Sequence, residues 1–315
     1  MIAERAPVIS SPPLAGEGPG QISLPLWGRV RVGALDYLSL TKPRIMLLLL
    51  ITELGAMIAA ARGWPGMSLT LTALAGGALS AGGAAAINCW FDRDIDAVMA
   101  RTCTRPIPSG RIAPGRAISF GVGLGAAGFF LLAATTNLLA AGLALAGGLF
   151  YVLVYTVWLK RSTRQNIVIG GAAGAFPPLV GWAVVTGSIT LPAIALFAVV
   201  FFWTPPHFWS LALLLQRQYR EVGVPMLPVV ASDAGTRRSI VAYSLVLLVV
   251  SLVPALWFGP VYLVGALLLG GTILWMAWRG LSAEGLRWAS RLFHFSLVYL
   301  AAIFALAAAG AVLSH

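Results

Sequence analysis

The run LTLTALAGGALSAGGAAAINCW, Leu69 to Trp90, decides the fold. It carries no charged residue and is long enough for a helix to cross a bilayer core, which takes roughly 20 apolar residues. Hydrocarbon offers no partners to backbone polar groups, so such a run must close its own hydrogen bonds as a helix. Its end runs into Asn88-Cys89-Trp90-Phe91-Asp92-Arg93-Asp94-Ile95-Asp96. Asn88, Asp92 and Asp96 are spaced i, i+4, i+8, which puts them one above another on one helix face. Three hard oxygen ligands in a row at a membrane edge suit Mg²⁺ held between a protein and a substrate's phosphates. Polar groups of this kind in an apolar chain mark a functional site.

The rest of the chain repeats the first observation. It is 59% hydrophobic and 10% charged, against about 25% charged in soluble domains. Nine spans are expected: Ile45–Ala61, Leu69–Trp90, Ala117–Thr135, Leu138–Trp158, Ile167–Thr186, Leu191–Leu215, Ile240–Phe258, Val261–Trp278 and Leu292–Leu313. Membrane strands would alternate over about ten residues. These runs are longer and apolar on every side, so the expected class is an all-α polytopic bundle. Residues 1–35, rich in Pro, Gly and Ser, read as a mobile tail without the apolar core of a signal peptide, and residues 36–315 as one membrane domain.

The net charge of +11 is explained by topology rather than by nucleic acid. With the N-terminus inside, every Lys and Arg but Arg62 falls in the inside segments, which fixes N-terminus in and C-terminus out. The charge also favours anionic lipid. The long inside loops, Phe91–Arg116 and Gln216–Ser239, are where chemistry is expected, because outside loops are only tight turns. Cys89 and Cys103 lack metal-type spacing and read as free thiols. In the fifth span Pro177-Pro178 should kink the helix. In the first loop Arg101 and Arg105, again i and i+4, can clamp a phosphate.

Together these residues resemble a family. Asn-x-x-x-Asp-x-x-x-Asp at the end of the second span is similar to the UbiA superfamily of intramembrane prenyltransferases. Further stretches resemble its haem-farnesylating branch. They are Asp36 to Arg44 (DYLSLTKPR), Met99 to Pro106, Leu159 to Thr163 with Asn166 to Gly171, Ala175 to Trp182, Pro206-His207-Phe208-Trp209, and Gly223-Val224-Pro225-Met226-Leu227-Pro228. A weaker match runs from Arg291 to Leu300, so the resemblance spans about residues 36 to 305.

The resemblance implies a nine-helix UbiA-type fold in the bacterial inner (plasma) membrane, with its active site at the cytoplasmic face. It implies farnesyl diphosphate and haem b as substrates, haem O as product and Mg²⁺ as cofactor, with haem A synthase as the partner that consumes the product. It implies Asn88, Asp92 and Asp96 on the metal, and Arg101, Arg105, Lys160 and Arg161 on diphosphate. Lys42 and Arg44 are assigned to diphosphate or to a haem propionate. Tyr219 belongs to a second motif in the loop after the sixth span. There the chain departs from the pattern, because Gln218 stands where an aspartate is expected and Glu221 is the nearest acid. That departure puts a second Mg²⁺ in doubt.

His207 should lie about 12 Å inside the sixth span at 1.5 Å per residue. It is expected to orient haem through iron, to relay a proton, or to bond a neighbouring helix, with Trp203 and Trp209 beside it. Glu53, mid-span, is expected to be protonated or to face a cavity. Other readings compete. One is a UbiA enzyme acting on a quinone precursor or a chlorophyll-type tetrapyrrole. Another is a transporter, which would place its polar residues nearer the midplane.

Overall fold

The computed structural model describes residues 26–314, with side chains from residue 33. Its helices are α1 (Leu26–Leu40), α2 (Pro43–Ala61), α3 (Met67–Phe91), α4 (Arg93–Val98), α5 (Pro114–Thr135) and α6 (Leu138–Leu149). A π-helical segment, Phe150–Leu159, prolongs α6 into the short α7 (Lys160–Ser162). Then come α8 (Asn166–Gly170), α9 (Ala172–Thr186), α10 (Leu191–Leu214), α11 (Gln216–Glu221) and α12 (Leu227–Val230). The chain closes with α13 (Asp233–Leu252), α14 (Ala255–Arg279) and α15 (Arg287–Leu313).

Among the described residues nine stretches are long and apolar enough to span a membrane, as expected, with α6 to α7 counting as one and α8 with α9 as another. The chain is a multi-pass, all-helical membrane protein. Cys89 and Cys103 are both free.

Four expectations need correction. The tail was expected to run to residue 35, but α1 begins at Leu26 and its end is anchored. Leu40 is buried with Ala86, Ile107 and Ile112, Tyr37 packs edge-on against Phe120, and Asp36 accepts from Arg111 at 3.0 Å. An anchored last turn lets a helix propagate upstream at little nucleation cost. The remainder of the expected tail, residues 1–25, lies outside the described residues.

The seventh span ends at Leu252, not Phe258. The chain turns at Val253 and Pro254, re-enters a helix at Ala255, and is broken again by Gly259 at φ 74°. The fifth span is interrupted at Gly171, upstream of the prolines. Gly171 itself keeps helical angles (φ −57°, ψ −24°), and α9 runs through Pro177 and Pro178 without a break. Finally, α3 stops at Phe91, and Asp92 adopts φ −84°, ψ 8°. The ladder nevertheless crosses the break, from the Asp92 amide to Asn88 O (2.9 Å) and from the Asp96 amide to Asp92 O (2.8 Å), so the i, i+4, i+8 row survives.

Small residues set the close approaches. A methyl placed on Gly83 would lie 2.5 Å from Gly121 O and 2.6 Å from Gly125 N, and one on Gly128 would lie 2.8 Å from Gly76 O. Backbones of α3 and α5 thus touch directly, the usual solution where lipid supplies no hydrophobic drive between helices. A second such crossing involves Glu53 on α2. It is 2% exposed, its Oε1 has no hydrogen-bond partner, and its carboxyl lies in the notch at Gly77 on α3. Its backbone carbonyl lies against Gly181 on α9.

Candidate active site

The helix ends at one face of the bundle bring the predicted ligand row together. Asn88, Asp92 and Asp96 are 3%, 2% and 4% exposed, at the end of α3 and in α4. Asn88 Nδ2 donates to Asp92 Oδ2 at 2.8 Å and to Thr156 Oγ1 at 3.0 Å. Four cations surround the row. Lys42 Nζ donates to Asn88 Oδ1 at 2.6 Å. Lys160 Nζ pairs with Asp92 Oδ2. Arg105 Nη1 pairs with Asp96 Oδ2 at 2.7 Å. Arg161 grips Asp94 through both terminal nitrogens at 2.7 Å and stands 3.7 Å from Asp92 Oδ1.

Each position has a local cause. Lys42 takes the left-handed conformation (φ 54°, ψ 58°) just ahead of Pro43, which turns the chain into α2 and aims the ammonium at α3. Lys160 and Thr156 owe their places to the π-helical segment. Its i→i+5 spacing is shown by the Lys160 amide bonding Tyr155 O, and Thr156 Oγ1 donates to Tyr151 O at 2.9 Å. Segments of this kind are rare and concentrate at functional sites. Tyr151 and Tyr155 stack at 5.5 Å between centroids, and Lys42 Nζ is 3.5 Å from Tyr151 Oη.

The second half of the chain supplies Tyr219 of α11, which is 6% exposed and close enough to feel Arg101, Arg105, Asp92 and Lys42. Burial pushes its phenol above the ordinary value, while Arg101 and Arg105 oppose that shift; it stays a hydrogen-bond donor at neutral pH.

A match to the UbiA prenyltransferase family covers residues 49–300, which include this whole row of ligands. The chain belongs to the UbiA prenyltransferase family. Among its curated relatives, the protoheme IX farnesyltransferase of Symbiobacterium thermophilum is 55% identical over 85% of this chain and 91% of that one. The protoheme IX farnesyltransferase of Roseiflexus sp. strain RS-1 is 51% identical over 85% of this chain, which spans only about half (51%) of that longer protein.

Solved structures share the fold. A digeranylgeranylglyceryl phosphate synthase superposes with a TM-score of 0.73 at 19% identity, over 89% of this chain and 99% of that one. A UbiA homologue from Archaeoglobus fulgidus bound to GPP and Mg²⁺ gives 0.63 at 17% identity, over 86% and 99%.

In this UbiA prenyltransferase three expected site residues lie apart from the row. Arg101 is exposed and makes no ion pair with the motif carboxylates. The i+4 relation to Arg105 holds only in a helix, and α4 ends at Val98. Arg44 is exposed and lines a groove with Leu47, Leu48 and Leu297. Arg44 lies in the first turn of α2, whereas Lys42 stands outside the helix in the left-handed conformation that aims it at α3. His207 sits deep in α10, held between Trp203 and Phe293 at centroid distances of 4.2 and 4.8 Å. Trp209 packs instead against Tyr243. Gln218 presents a buried Oε1 without a hydrogen-bond partner.

Thr156, Tyr151 and Tyr155 were missed by sequence reasoning. Their only signal is four polar-tipped residues, Tyr151, Tyr155, Thr156 and Lys160, in one otherwise apolar run.

The donor set fits a magnesium ion. Asp92 Oδ1 is buried and accepts no hydrogen bond. Lone pairs on Asn88 Oδ1 and Asp96 Oδ2 are met only by side-chain cations that can swing away. Two carboxylates and an amide carbonyl, all hard oxygens, leave coordination positions open for phosphate and water.

Proposed function

We propose that this UbiA prenyltransferase transfers the farnesyl group of farnesyl diphosphate to the 2-vinyl group of haem b, with addition of water, giving haem O and diphosphate. The observation that carries the reading is one buried row of Asn88, Asp92 and Asp96 ringed by Lys42, Lys160, Arg105 and Arg161, in a chain 55% identical to a protoheme IX farnesyltransferase.

Diphosphate leaves an allylic carbon only when its growing charge is neutralised, and fixed charges at a water-poor site do this best. Mg²⁺, when held by Asn88, Asp92 and Asp96, supplies that neutralisation. The chain's own groups do the rest. Lys42 turns from the Asn88 amide oxygen, and Lys160 from the Asp92 carboxylate, to the phosphate oxygens. Arg105 and Arg161 grip the same oxygens bidentately. Tyr219 closes the site from the second half of the chain. The apolar interior below the row takes the prenyl tail and keeps stray water from the allylic cation.

The Lys/Arg asymmetry supports the reading that the site faces the cytoplasm, with the C-terminus outside; the bacterial plasma membrane is the setting we propose for it. Gln218 offers a neutral carbonyl where a second metal would need charge, so a single Mg²⁺ is the expected stoichiometry.

The test is direct. Purified protein given haem b, farnesyl diphosphate and Mg²⁺ should yield a more hydrophobic haem with the mass of haem O. Chelation should stop the reaction and added Mg²⁺ restore it. Prenylation of 4-hydroxybenzoate with haem b left untouched would overturn the substrate assignment.

A smaller effect concerns Arg161. Hydrogen bonding to Arg161 holds the Asp94 carboxyl at about 2, below the usual carboxylate range. A depressed value means that the pair contributes above about pH 4 and is lost as pH falls toward 2, so it is intact at working pH. Asp94→Asn should then loosen Arg161 and raise the KM for farnesyl diphosphate a few-fold with kcat little changed. Steady-state kinetics at fixed haem b read the split.

A further inference from the structure

The hydrogen bonds around His207 fix which of its ring nitrogens carries the proton. Ser296 Oγ donates its single proton to Phe293 O at 2.7 Å, one turn back along α15. The same Oγ is 2.6 Å from His207 Nδ1. A hydroxyl has one proton to give, so this short contact is made by Nδ1–H donating to Oγ. The neutral ring therefore carries its lone pair on Nε2. Among the described residues Nε2 has no hydrogen-bond partner.

The surroundings lock this arrangement. The imidazole lies nearly parallel to Trp203 on one side (interplanar 17°) and Phe293 on the other (24°). Trp203 Nε1 in turn donates to Ser296 O at 2.7 Å, so the clamp and the relay are tied to the same turn of α15. Rise along each helix gives a common depth. His207 is seven residues from the Leu214 end of α10, and Ser296 nine from the Arg287 start of α15, or roughly 10–14 Å inside the face that carries the Asn/Asp row.

A rigid neutral imidazole with Nδ1–H spent on a protein acceptor and Nε2 bare is the standard metal-ligating form of histidine. The metal available to it is the iron of the second substrate. We propose that His207 Nε2 is an axial ligand to the iron of bound haem b, and that Ser296 is a positioning residue that sets the tautomer. This proposal rests on the haem b reading above. It gives the porphyrin a fixed centre below the diphosphate site, so that a vinyl edge can be turned toward the allylic carbon.

The experiment titrates ferric haem b into the purified protein without farnesyl diphosphate and follows the Soret and visible bands. The wild type should show a histidine-bound haem. His207→Gly should lose that spectrum, and added imidazole should restore it, which a merely misfolded variant would not allow. Ser296→Ala, free to hold either tautomer, should weaken haem binding roughly 10- to 100-fold, the usual range for partners of metal-bound histidine. Ser296→Thr should retain it.

An unchanged spectrum in His207→Gly overturns the ligation, and wild-type affinity in Ser296→Ala overturns the tautomer relay. The underlying reading is judged separately, by haem O formation in the wild type. Haem O made with an unchanged His207→Gly spectrum sinks only this proposal; no haem O from the wild type sinks the substrate assignment itself.

Discussion

Asp92→Asn should cost about a thousandfold or more in turnover, the scale seen when one charge-stabilising group is removed from such a site, and it should leave the protein folded. The substitution keeps the shape and removes one charge from a carboxylate whose buried Oδ1 accepts no hydrogen bond. Its partner Lys160 has a side chain only 13% exposed, and a buried cation that loses its partner destabilises a fold. Two effects are therefore mixed in the single variant. Adding Lys160→Met separates them: the double variant should recover the thermal stability of the wild type without recovering activity. Haem O formation and thermal unfolding in the same detergent read both quantities. Full turnover in Asp92→Asn would remove the metal assignment.

Gly181→Ala should have the largest effect on folding. The added methyl would press on the backbone carbonyl of Glu53 and come within 3.2 Å of its Cγ. Backbone cannot rotate out of the way as a side chain can. Overpacking a core costs about 1–3 kcal/mol, sometimes more, and the upper end is expected here. Yield of monodisperse protein and its unfolding midpoint would show it. Glu53→Gln is the paired control. It keeps the shape within the Gly77 notch, so it should be folded and fully active. A folded but inactive Glu53→Gln would give this carboxyl a part in the chemistry.

Much of this could be read from residues alone, because membrane spans and a helical register are local properties. The nine apolar stretches needed only length and composition. The Asn88, Asp92, Asp96 row needed only a helical ladder, and it held even though α3 breaks at Asp92. What failed required knowledge of direction or context. Lys42 and Arg44 looked equivalent in sequence, but Lys42 takes a left-handed turn ahead of the helix while Arg44 lies in its first turn. Arg101 and Arg105 looked like a helical pair, yet they lie in turns beyond α4. The π-helical segment was invisible, since Phe150 to Leu159 is as apolar as any α-helical span; only tertiary packing decides that its ladder is wider. A kink was expected at Pro177 and Pro178, yet α9 runs through both and its boundary with α8 lies upstream at Gly171. The left-handed Lys42 and the notch around Glu53 are products of neighbouring chain, which no single segment encodes.

The carboxylates of the ligand row are already neutralised by the protein's own ammonium and guanidinium groups. On the proposed function, a magnesium diphosphate would load by exchange of partners: Asn88, Asp92 and Asp96 would hold the metal, and Lys160, Arg105 and Arg161 would be released toward the phosphates. Such a swap would leave little net charge unbalanced before or after loading, which suits a row of carboxylates at most 4% exposed.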